Sequence, residues 1–500
     1  MKLSMRAKWR PLGFAALALL TALVIWIAAR NARNATLDVP AARASEELTL
    51  ASEGMPEYEI TAAFDPSAST LSCTQTVKWT NDTGELLDKI VLRAYANAFA
   101  SDETSPAASF ELYDLCYGKA GFNPGGIDIT SVMLNGAPAD WSYADDARTI
   151  MYITAPPQTP GVSIRLSLEY TITIPQCAYR FGFSDGIYAI GNAFPILAIF
   201  RDGEWREDKY GEYGDPFVHE CANWRVALTL PRGWQAAATG ARTYGDPLIF
   251  EARAARDFAL VISNRFSTAR ATVGGTSVTA YAASSGQARA LVQAGARALE
   301  IYNEAFGEYP WPTYDLAAVS LPFGGMEYPC LSMISPQTDS IQLGRAVAHE
   351  TAHQWFYSLA GSDAVEEPWL DESLCSFAAL LYINKAEGSA SLETYLSTVI
   401  EPSFQLTIPR GITIGSPLWA FAGWGEYRVL LYERGCGMLW GLSEAIGEQK
   451  LLEALRLYID NASFGFASRQ DFLYAIYQAT GSDWEGYLID YLDTYIEGSW

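Results

Sequence analysis

Basic residues are scarce in this sequence of 500 residues. It has 34 lysines and arginines against 57 aspartates and glutamates, which gives a formal net charge of −23 at pH 7. A field of that sign repels phosphate backbones and attracts cations. The imbalance therefore argues against nucleic acid as a partner, and it agrees with the acidic surface of an exported protein.

Cysteines are also few and dispersed. The seven cysteines are odd in number, and no two of them form a CxxC pair. Zinc-ribbon and thioredoxin-like domains therefore find no support. Isolated buried thiols are expected, with one or two disulfides as the alternative outside the cell. Internal repeats are absent too, and half of the residues are hydrophobic, so a chain of this length should form more than one globular core.

The first thirty residues resemble a targeting segment. Four basic residues precede an uncharged run from Pro11 to Ala29, which as a helix would be roughly 28 Å long. That length suits the apolar layer of a bilayer and exceeds the apolar region of most cleaved signals. We expect residues 1–30 to be a membrane anchor, or a signal segment whose cleavage would release a secreted protein, and residues 31–52 to be a stalk. The positive flank places the rest outside the cytoplasm.

Two sequence patterns divide the remainder. In 53–282, short runs such as 58–64 and 163–174 show alternation or β-branched enrichment between turn signals, which predicts a β-sandwich-like domain. From Gln287 onward apolar residues recur at helical spacing. Residues 283–500 are therefore predicted to form a mainly helical domain with a small sheet. The expected fold class is α+β and multidomain.

Two of the three histidines lie in 349-HETAH-353. Residues four apart share one face of a helix, so both imidazoles can reach one ion while Glu350 faces the same cleft. Chance would produce about 0.002 such matches at this composition. A catalytic zinc site needs a third protein ligand. Glu372, in the first turn of a second predicted helix, is the candidate because a helical hairpin can bring it to His353.

Four blocks in this order resemble the aminopeptidase N family of gluzincin zinc metallopeptidases. The blocks are 324-GGMEY-328, 349-HETAH-353, 369-WLDE-372 and 432-YERG-435. The first is similar to the GAMEN motif of that family and the last to its YEKG block. The resemblance extends from about residue 53 to the end of the sequence. It implies a thermolysin-like catalytic domain with one zinc ion per chain, held by His349, His353 and Glu372.

The resemblance also implies a role for each block. Glu350 is expected to activate the attacking water, and Tyr432 to donate a hydrogen bond to the oxyanion. The expected activity is removal of N-terminal residues from peptides with a free α-amine, because a carboxylate in the GGMEY block would bind that amine. The substrate-binding residues assigned in this way are Glu327, Gly324, Gly325 and Met326.

Some positions depart from the family pattern. Tyr328 stands where asparagine is usual, Ser373 where glycine is common, and Arg434 where lysine is usual. The 68 residues after Tyr432 are too few for the helical C-terminal domain of many relatives, so a more open cleft is expected. The alternatives are a thermolysin-type endopeptidase, a bifunctional epoxide hydrolase, and an inactive surface protein that binds peptides. The oligomeric state stays open.

Three further features have simpler interpretations. The aromatic-rich stretch 179–200 is expected to contribute a wall of the substrate cleft. His219, the remaining histidine, is far from the motif blocks in sequence, and we expect a structural or surface role for it. Three cysteines adjoin the site blocks, and small apolar packing is their expected role.

Overall fold

The computed structural model describes residues 48–336, 339–408 and 411–494. The predicted anchor at 1–30 and most of the predicted stalk lie outside these ranges. Within them, no helix combines the length and the apolar character that crossing a membrane requires. The last stalk residues begin with a helical turn at 48–51, whose Leu48 is buried against the globular part.

An eight-stranded sheet forms the centre of the N-terminal part. Every second side chain of the strand Glu57–Asp65 is buried, so one face of the sheet packs on the core and the other meets solvent. In spatial order the strands are Ala241–Thr243, Leu248–Ala255, Ala222–Thr229, Glu57–Asp65, Thr70–Thr80, Ser163–Thr173, Gly126–Leu134 and Ala137–Pro138.

Two four-stranded sheets share a hydrophobic core with this large sheet. Ile60 and Ile172 of the large sheet belong to the same buried cluster as Met151 and Ile262 of the smaller ones, which agrees with the predicted sandwich-like packing. One small sheet contains Gln235–Ala238, Leu260–Ser263, Ile187–Ile190 and Phe181–Ser184. The other contains Ile196–Leu197, Leu87–Arg93, Ile150–Gln158 and Trp141–Tyr143, and a separate hairpin joins Phe200–Arg201 to Glu204–Trp205.

A five-stranded sheet carries the second part of the chain. Its order is Ser267–Val273, Thr276–Ala282, Thr313–Ala318, Leu331–Ile334 and Gly325–Tyr328. The alternating pattern grouped the first two strands with the N-terminal domain, whose predicted end was residue 282. Parallel pairing of Thr276–Ala282 with Thr313–Ala318 places them in this sheet instead. Alternation is the same in any half-buried strand, so it does not reveal which sheet a strand joins.

Helices make up most of the remaining chain, as predicted. Ser284 caps the long helix Ser285–Phe306 by accepting a hydrogen bond from the backbone N–H of Gln287, and Gly307 follows its end. The other α-helices are Tyr113–Cys116, Ser340–Ala352, Trp369–Tyr382, Ser389–Tyr395, Glu401–Ser403, Trp424–Tyr427, Gly435–Ile446, Glu448–Ala462, Arg469–Thr480 and Glu485–Leu492. Wider π-helical turns span Ile383–Glu387, Leu396–Ile400 and Arg428–Arg434. Short 3-10 turns span Tyr95–Ala100, Pro106–Ala108, Gly118–Ala120 and Leu418–Ala420, and a two-stranded bridge pairs Gly361–Ser362 with Phe466–Ala467.

Candidate active site

The helix Ser340–Ala352 carries the HETAH motif. It ends at Ala352, and His353 forms its C-cap with a backbone that is still helical. The chain then turns back, and Arg256 of the N-terminal part holds this turn by donating a hydrogen bond of 2.7 Å to the carbonyl oxygen of Tyr357. Because the backbone is helical through His353, both histidines face the same side.

Three ligand atoms meet in front of this helix. The Nε2 atom of His349 is 3.2 Å from Nε2 of His353 and 3.2 Å from Oε2 of Glu372, and the third separation is 3.7 Å. Ligand atoms about 2.0–2.1 Å from a tetrahedral zinc ion lie about 3.3 Å apart, so the cluster fits one zinc ion. Burial lowers the pKa of His349, which favours the neutral imidazole that a metal binds. The three predicted ligands are thus brought together.

A second carboxylate supports one of these ligands. The Oδ1 atom of Asp371 is 2.6 Å from Nδ1 of His353, and both side chains are buried. This contact places the ring proton on Nδ1 and leaves Nε2 free for a metal. The sequence motifs did not indicate a role for Asp371, although it directly precedes the predicted ligand Glu372.

Glu350 lies between the ligand helix and the edge strand of the five-stranded sheet. Its side chain is buried, and its Oε2 atom has no hydrogen-bond partner within the part of the chain that the structure describes. A Cβ atom on Gly325 would lie 2.5 Å from Oε1 of Glu350, so this position requires glycine. Burial raises the pKa of Glu350 to about 8, a value suited to a group that takes up and releases a proton near neutrality.

The edge strand Gly325–Tyr328 carries the predicted amine-binding residue. It pairs with Leu331–Ile334 on one side, and no described strand pairs with its other side. Glu327 is buried, and burial raises the pKa of its carboxyl well above the usual range. One oxygen of Glu327, one of Glu350 and a ring nitrogen of His353 all lie within 4.8 Å of one another. The proposed amine site is therefore next to the proposed base.

Tyr432 reaches the site from the π-helical turn Arg428–Arg434. Its hydroxyl donates a hydrogen bond of 2.5 Å to Oε1 of Glu372. Its ring stacks on His349, with 5.3 Å between the ring centroids. Wide turns of this kind are frequent at functional sites because they rotate a side chain out of the regular helical register. The tyrosine hydroxyl is thus placed beside the metal ligands, as the sequence predicts.

Two departures from the family pattern have structural explanations. The hydroxyl of Ser373 donates a 2.8 Å hydrogen bond to the carbonyl oxygen of Leu431, directly before Tyr432. A Cβ atom on Gly435 would lie 2.0 Å from that hydroxyl oxygen, so the two segments pack closely. Ser373 therefore ties the Tyr432 turn to the Glu372 helix. Arg434 is buried outside the cavity lining, and its Nε donates a hydrogen bond of 3.0 Å to the carbonyl oxygen of Ser403.

A cavity of about 430 Å³ opens in front of the metal ligands. The N-terminal part contributes the opposite wall. There the ring of Tyr179 packs against Phe323 of the catalytic part, with 5.4 Å between the ring centroids. The buried guanidinium of Arg180 pairs with Asp215 in the same wall. The stretch 179–200 thus contributes to the cleft as expected. Further lining residues that the sequence did not indicate are Glu111, Leu112, Leu115, Glu212, Tyr213 and Trp424.

The remaining candidates are structural. His219 is buried outside the cavity lining, and burial lowers its pKa to about 3, so the ring stays neutral. All seven cysteines are free and buried, which agrees with the expected isolated thiols.

Two histidines of an HExxH motif and a glutamate from the next helix converge on one ion position, which is the ligand arrangement of the gluzincins. Residues 291–491 match the model of the Peptidase family M1 domain. This match agrees with the family that the four sequence blocks predict.

Several aminopeptidases are among the proteins that are similar in sequence to this chain. Residues of this chain are 28% identical over 191 residues to rat aminopeptidase B, covering 34% of the chain and 28% of the relative. Rat glutamyl aminopeptidase is 26% identical over 146 residues, covering 28% of the chain and 15% of the relative. Yeast alanine/arginine aminopeptidase is 25% identical over 207 residues, covering 38% and 24%. The matching region spans about a quarter of these curated relatives or less.

Solved structures match over a greater length. The M1 zinc metallopeptidase from Deinococcus radiodurans has a TM-score of 0.57 at 18% identity, and the match covers 89% of this chain and 94% of that one. A mutant of that metallopeptidase bound to a Tyr-Ser-Ala substrate has a TM-score of 0.59 at 17% identity, covering 89% and 96%. The overall fold is therefore that of the M1 metallopeptidases, with a β-rich N-terminal part and a mainly helical part that carries the site.

Proposed function

We propose that this chain is a zinc-dependent aminopeptidase that removes N-terminal residues from peptides. The observation that carries the proposal is the proximity of Glu327, Glu350 and His353 within 4.8 Å. In a peptide, the nitrogen of a residue is about 2.5 Å from its own carbonyl carbon. A substrate whose ammonium group binds Glu327 therefore presents its first peptide bond to Glu350 and the metal ligands.

Substrate selection follows from the burial of Glu327. A buried carboxylate binds an ammonium group through a charge-assisted hydrogen bond, and no Lys or Arg ion pair competes for Glu327 among the described residues. A blocked or internal peptide brings no such charge and would leave the carboxyl group uncompensated. The free side of the edge strand Gly325–Tyr328 can pair with the extended substrate backbone, which holds the scissile bond in register.

The reaction divides among the residues of the cleft. When bound, a zinc ion supplies positive charge that polarises the scissile carbonyl and favours ionisation of water. Glu350 takes a proton from the attacking water and passes it to the leaving amine. The hydroxyl of Tyr432 donates a hydrogen bond to the developing oxyanion. Asp371 keeps the His353 ring in the orientation that metal binding needs.

The test compares one peptide with a free N-terminus and the same peptide N-acetylated. The zinc-loaded protein should release the first residue of the free peptide and lose at least about a hundredfold in kcat/KM on the acetylated one. Glu327→Gln should lose most activity on the free peptide, so the ratio between the two substrates should shrink. Chelation should stop turnover and added zinc should restore it.

Two other results would each favour a different function. Cleavage of the acetylated peptide at internal bonds would indicate a thermolysin-type endopeptidase. Zinc well below one ion per chain, with no hydrolysis after zinc is added back, would indicate a protein that binds peptides without cleaving them.

We further propose that the N-terminal segment tethers the protein to a membrane, with the catalytic part outside the cytoplasm. The uncharged run 11–29 behind four basic residues supports this placement. Fractionation of cells that express the full chain should recover it with membranes after an alkaline wash, and deletion of residues 1–30 should abolish that association. Recovery in the supernatant with an intact N-terminus would contradict the proposal.

A further inference from the structure

Tyr328, the neighbour of Glu327 on the edge strand, is bound from both parts of the molecule. Its hydroxyl donates a 2.8 Å hydrogen bond to Oδ1 of Asn192, which belongs to the N-terminal part. Its carbonyl oxygen accepts a 3.0 Å hydrogen bond from Nε2 of Gln354, the residue after the ligand His353. The tyrosine side chain is completely buried. Tyr328 thus contacts both the residue that follows the ligand His353 and the N-terminal part.

The contact with Asn192 continues into a buried chain of hydrogen bonds. Nδ2 of Asn192 donates to Oδ2 of Asp257 at 2.7 Å, and Oδ1 of Asp257 accepts from the backbone N–H of Phe258 at 2.7 Å. Asn192 and Asp257 are both buried. The Asn192 amide uses its oxygen toward Tyr328 and its nitrogen toward Asp257. Only a donor at position 328 therefore completes this chain of bonds.

The backbone at Gly191 and Asn192 leaves room for the Tyr328 side chain. A Cβ atom on Gly191 would lie 1.9 Å from the Tyr328 hydroxyl oxygen, so the glycine leaves the space that the phenol occupies. Asn192 has a φ of 51°, in the left-handed region that asparagine tolerates better than most residues. The asparagine that is usual at position 328 in the family is shorter by a whole ring. The N-terminal part therefore provides the space and the hydrogen-bond acceptor that the Tyr328 phenol requires.

The hydrogen bonds of Tyr328 hold an edge strand of the five-stranded sheet. Gly325–Tyr328 is an edge strand with a single described partner strand, so its position is weakly held on the substrate side. Successive side chains of a strand point to opposite faces. Tyr328 can therefore fix the backbone from one face while Glu327 projects into the cleft from the other.

We propose that Tyr328, Asn192 and Asp257 are positioning residues that hold Glu327 at the substrate ammonium, so that the N-terminal part of the chain sets the affinity for the free amine. The inference rests on the proposed aminopeptidase function, and it adds residues from outside the metal helices to that function. Its consequence is a loss of amine recognition when the hydrogen-bond chain is cut, with the metal ligands unchanged.

The experiment measures binding in the absence of turnover. In the zinc-loaded Glu350→Gln protein, calorimetry gives the Kd of trialanine and of N-acetyl-trialanine. Adding Tyr328→Phe should weaken trialanine binding about tenfold, because a misplaced carboxylate loses the short charge-assisted bond. Binding of the acetylated peptide should change less than about twofold. Asp257→Asn, which acts one bond further away, should shift the ratio in the same direction by a smaller factor.

Tyr302→Phe is the matched control. Tyr302 is equally buried, its hydroxyl has no hydrogen-bond partner among the described residues, and it does not line the cavity. It should leave both Kd values unchanged. Zinc content and the unfolding midpoint are measured for every variant.

The possible results separate the inference from the proposed function. An unchanged ratio of the two Kd values in Tyr328→Phe overturns the inference. This holds whether neither peptide loses affinity or both lose it equally, and an equal loss would mean a collapsed cleft. If the Glu350→Gln parent itself binds both peptides equally, the role proposed for Glu327 fails and the inference fails with it. A selective loss for the free peptide supports both.

Discussion

The two sides of the cleft are built in different ways. The metal side uses His349, Glu350 and His353 within five consecutive residues, and Glu372 from the next helix. The amine side joins segments that are far apart in sequence, such as Arg180 with Asp215 and Asn192 with Tyr328. Helical geometry alone places the first set. Long-range packing places the second, within the N-terminal part for Arg180 and Asp215 and between the two parts for Asn192 and Tyr328.

This difference assigns different effects to changes on each side. A change on the metal side removes a group that acts on the scissile bond or the ion, so it should lower kcat or metal affinity. A change on the amine side moves a group that binds the substrate's first residue, so it should raise KM or alter stability. Variants on each side therefore test whether the two sides of the cleft act in these different ways.

The largest effect is expected for Glu350→Gln. The glutamine keeps the shape but cannot take the proton of the attacking water, so kcat should fall by at least about a thousandfold. Zinc content should remain at one ion per chain, because Glu350 is not among the three ligands that fit the ion. Stopped assays with a free-amine peptide, together with metal analysis, measure both. Activity equal to that of the unmodified protein would remove Glu350 from the mechanism.

A smaller effect is expected for Asp371→Asn. The buried Asp371 carboxylate contacts Nδ1 of His353 at 2.6 Å, and an amide in its place orients the ring less firmly. Zinc affinity should fall by about ten- to a hundredfold. Competition with a chelator measures this change. Asp339→Asn is the control, because Asp339 caps the same helix and asparagine caps equally well. Equal zinc affinity in the two variants would contradict the role of Asp371.

Local patterns predicted the metal side and many of the strands. The predicted run 58–64 lies within the strand Glu57–Asp65, and the predicted run 163–174 matches Ser163–Thr173 to within one residue. Both follow from alternation and β-branched composition, which are properties of a few consecutive residues. The ligand helix was predicted on the same basis, because the spacing of its two histidines is a helical repeat.

Tertiary contacts determined what the sequence did not predict. The ligand helix ends at Ala352 in a turn that Arg256 binds from about one hundred positions away. The strands before residue 282 join the catalytic sheet through long-range pairing. Asp215 enters the cleft through its pairing with Arg180, and no motif surrounds either residue. Such contacts are encoded by the packing of the whole chain, so a short window of sequence carries no sign of them.

The mildest prediction concerns the buried Asp257 of the amine side. Burial raises its pKa from 3.8 to about 7. Between these values the folded protein binds a proton that the unfolded chain has lost, so folding stability should fall as pH rises from about 4 to about 7. The slope from one such group is at most about 1.4 kcal/mol per pH unit. The Asp257→Asn variant has an uncharged amide at this position at every pH. Its stability relative to the unmodified protein should therefore rise as pH increases from about 4 to about 7. Urea unfolding at several pH values measures the difference.

Asp65→Asn is the control of opposite sign. The exposed Asp65 accepts a 2.6 Å hydrogen bond from the hydroxyl of Ser67, which lowers the pKa of its carboxyl. Its contribution to stability is therefore present above the unfolded pKa and is lost as pH falls, so this variant should lose relative stability as pH rises through the acid range. If Asp257→Asn followed the same direction, or showed no slope between pH 4 and pH 7, Asp257 would be charged in the folded protein. The amine side would then be anchored by an ionised carboxylate, in the manner of the metal side.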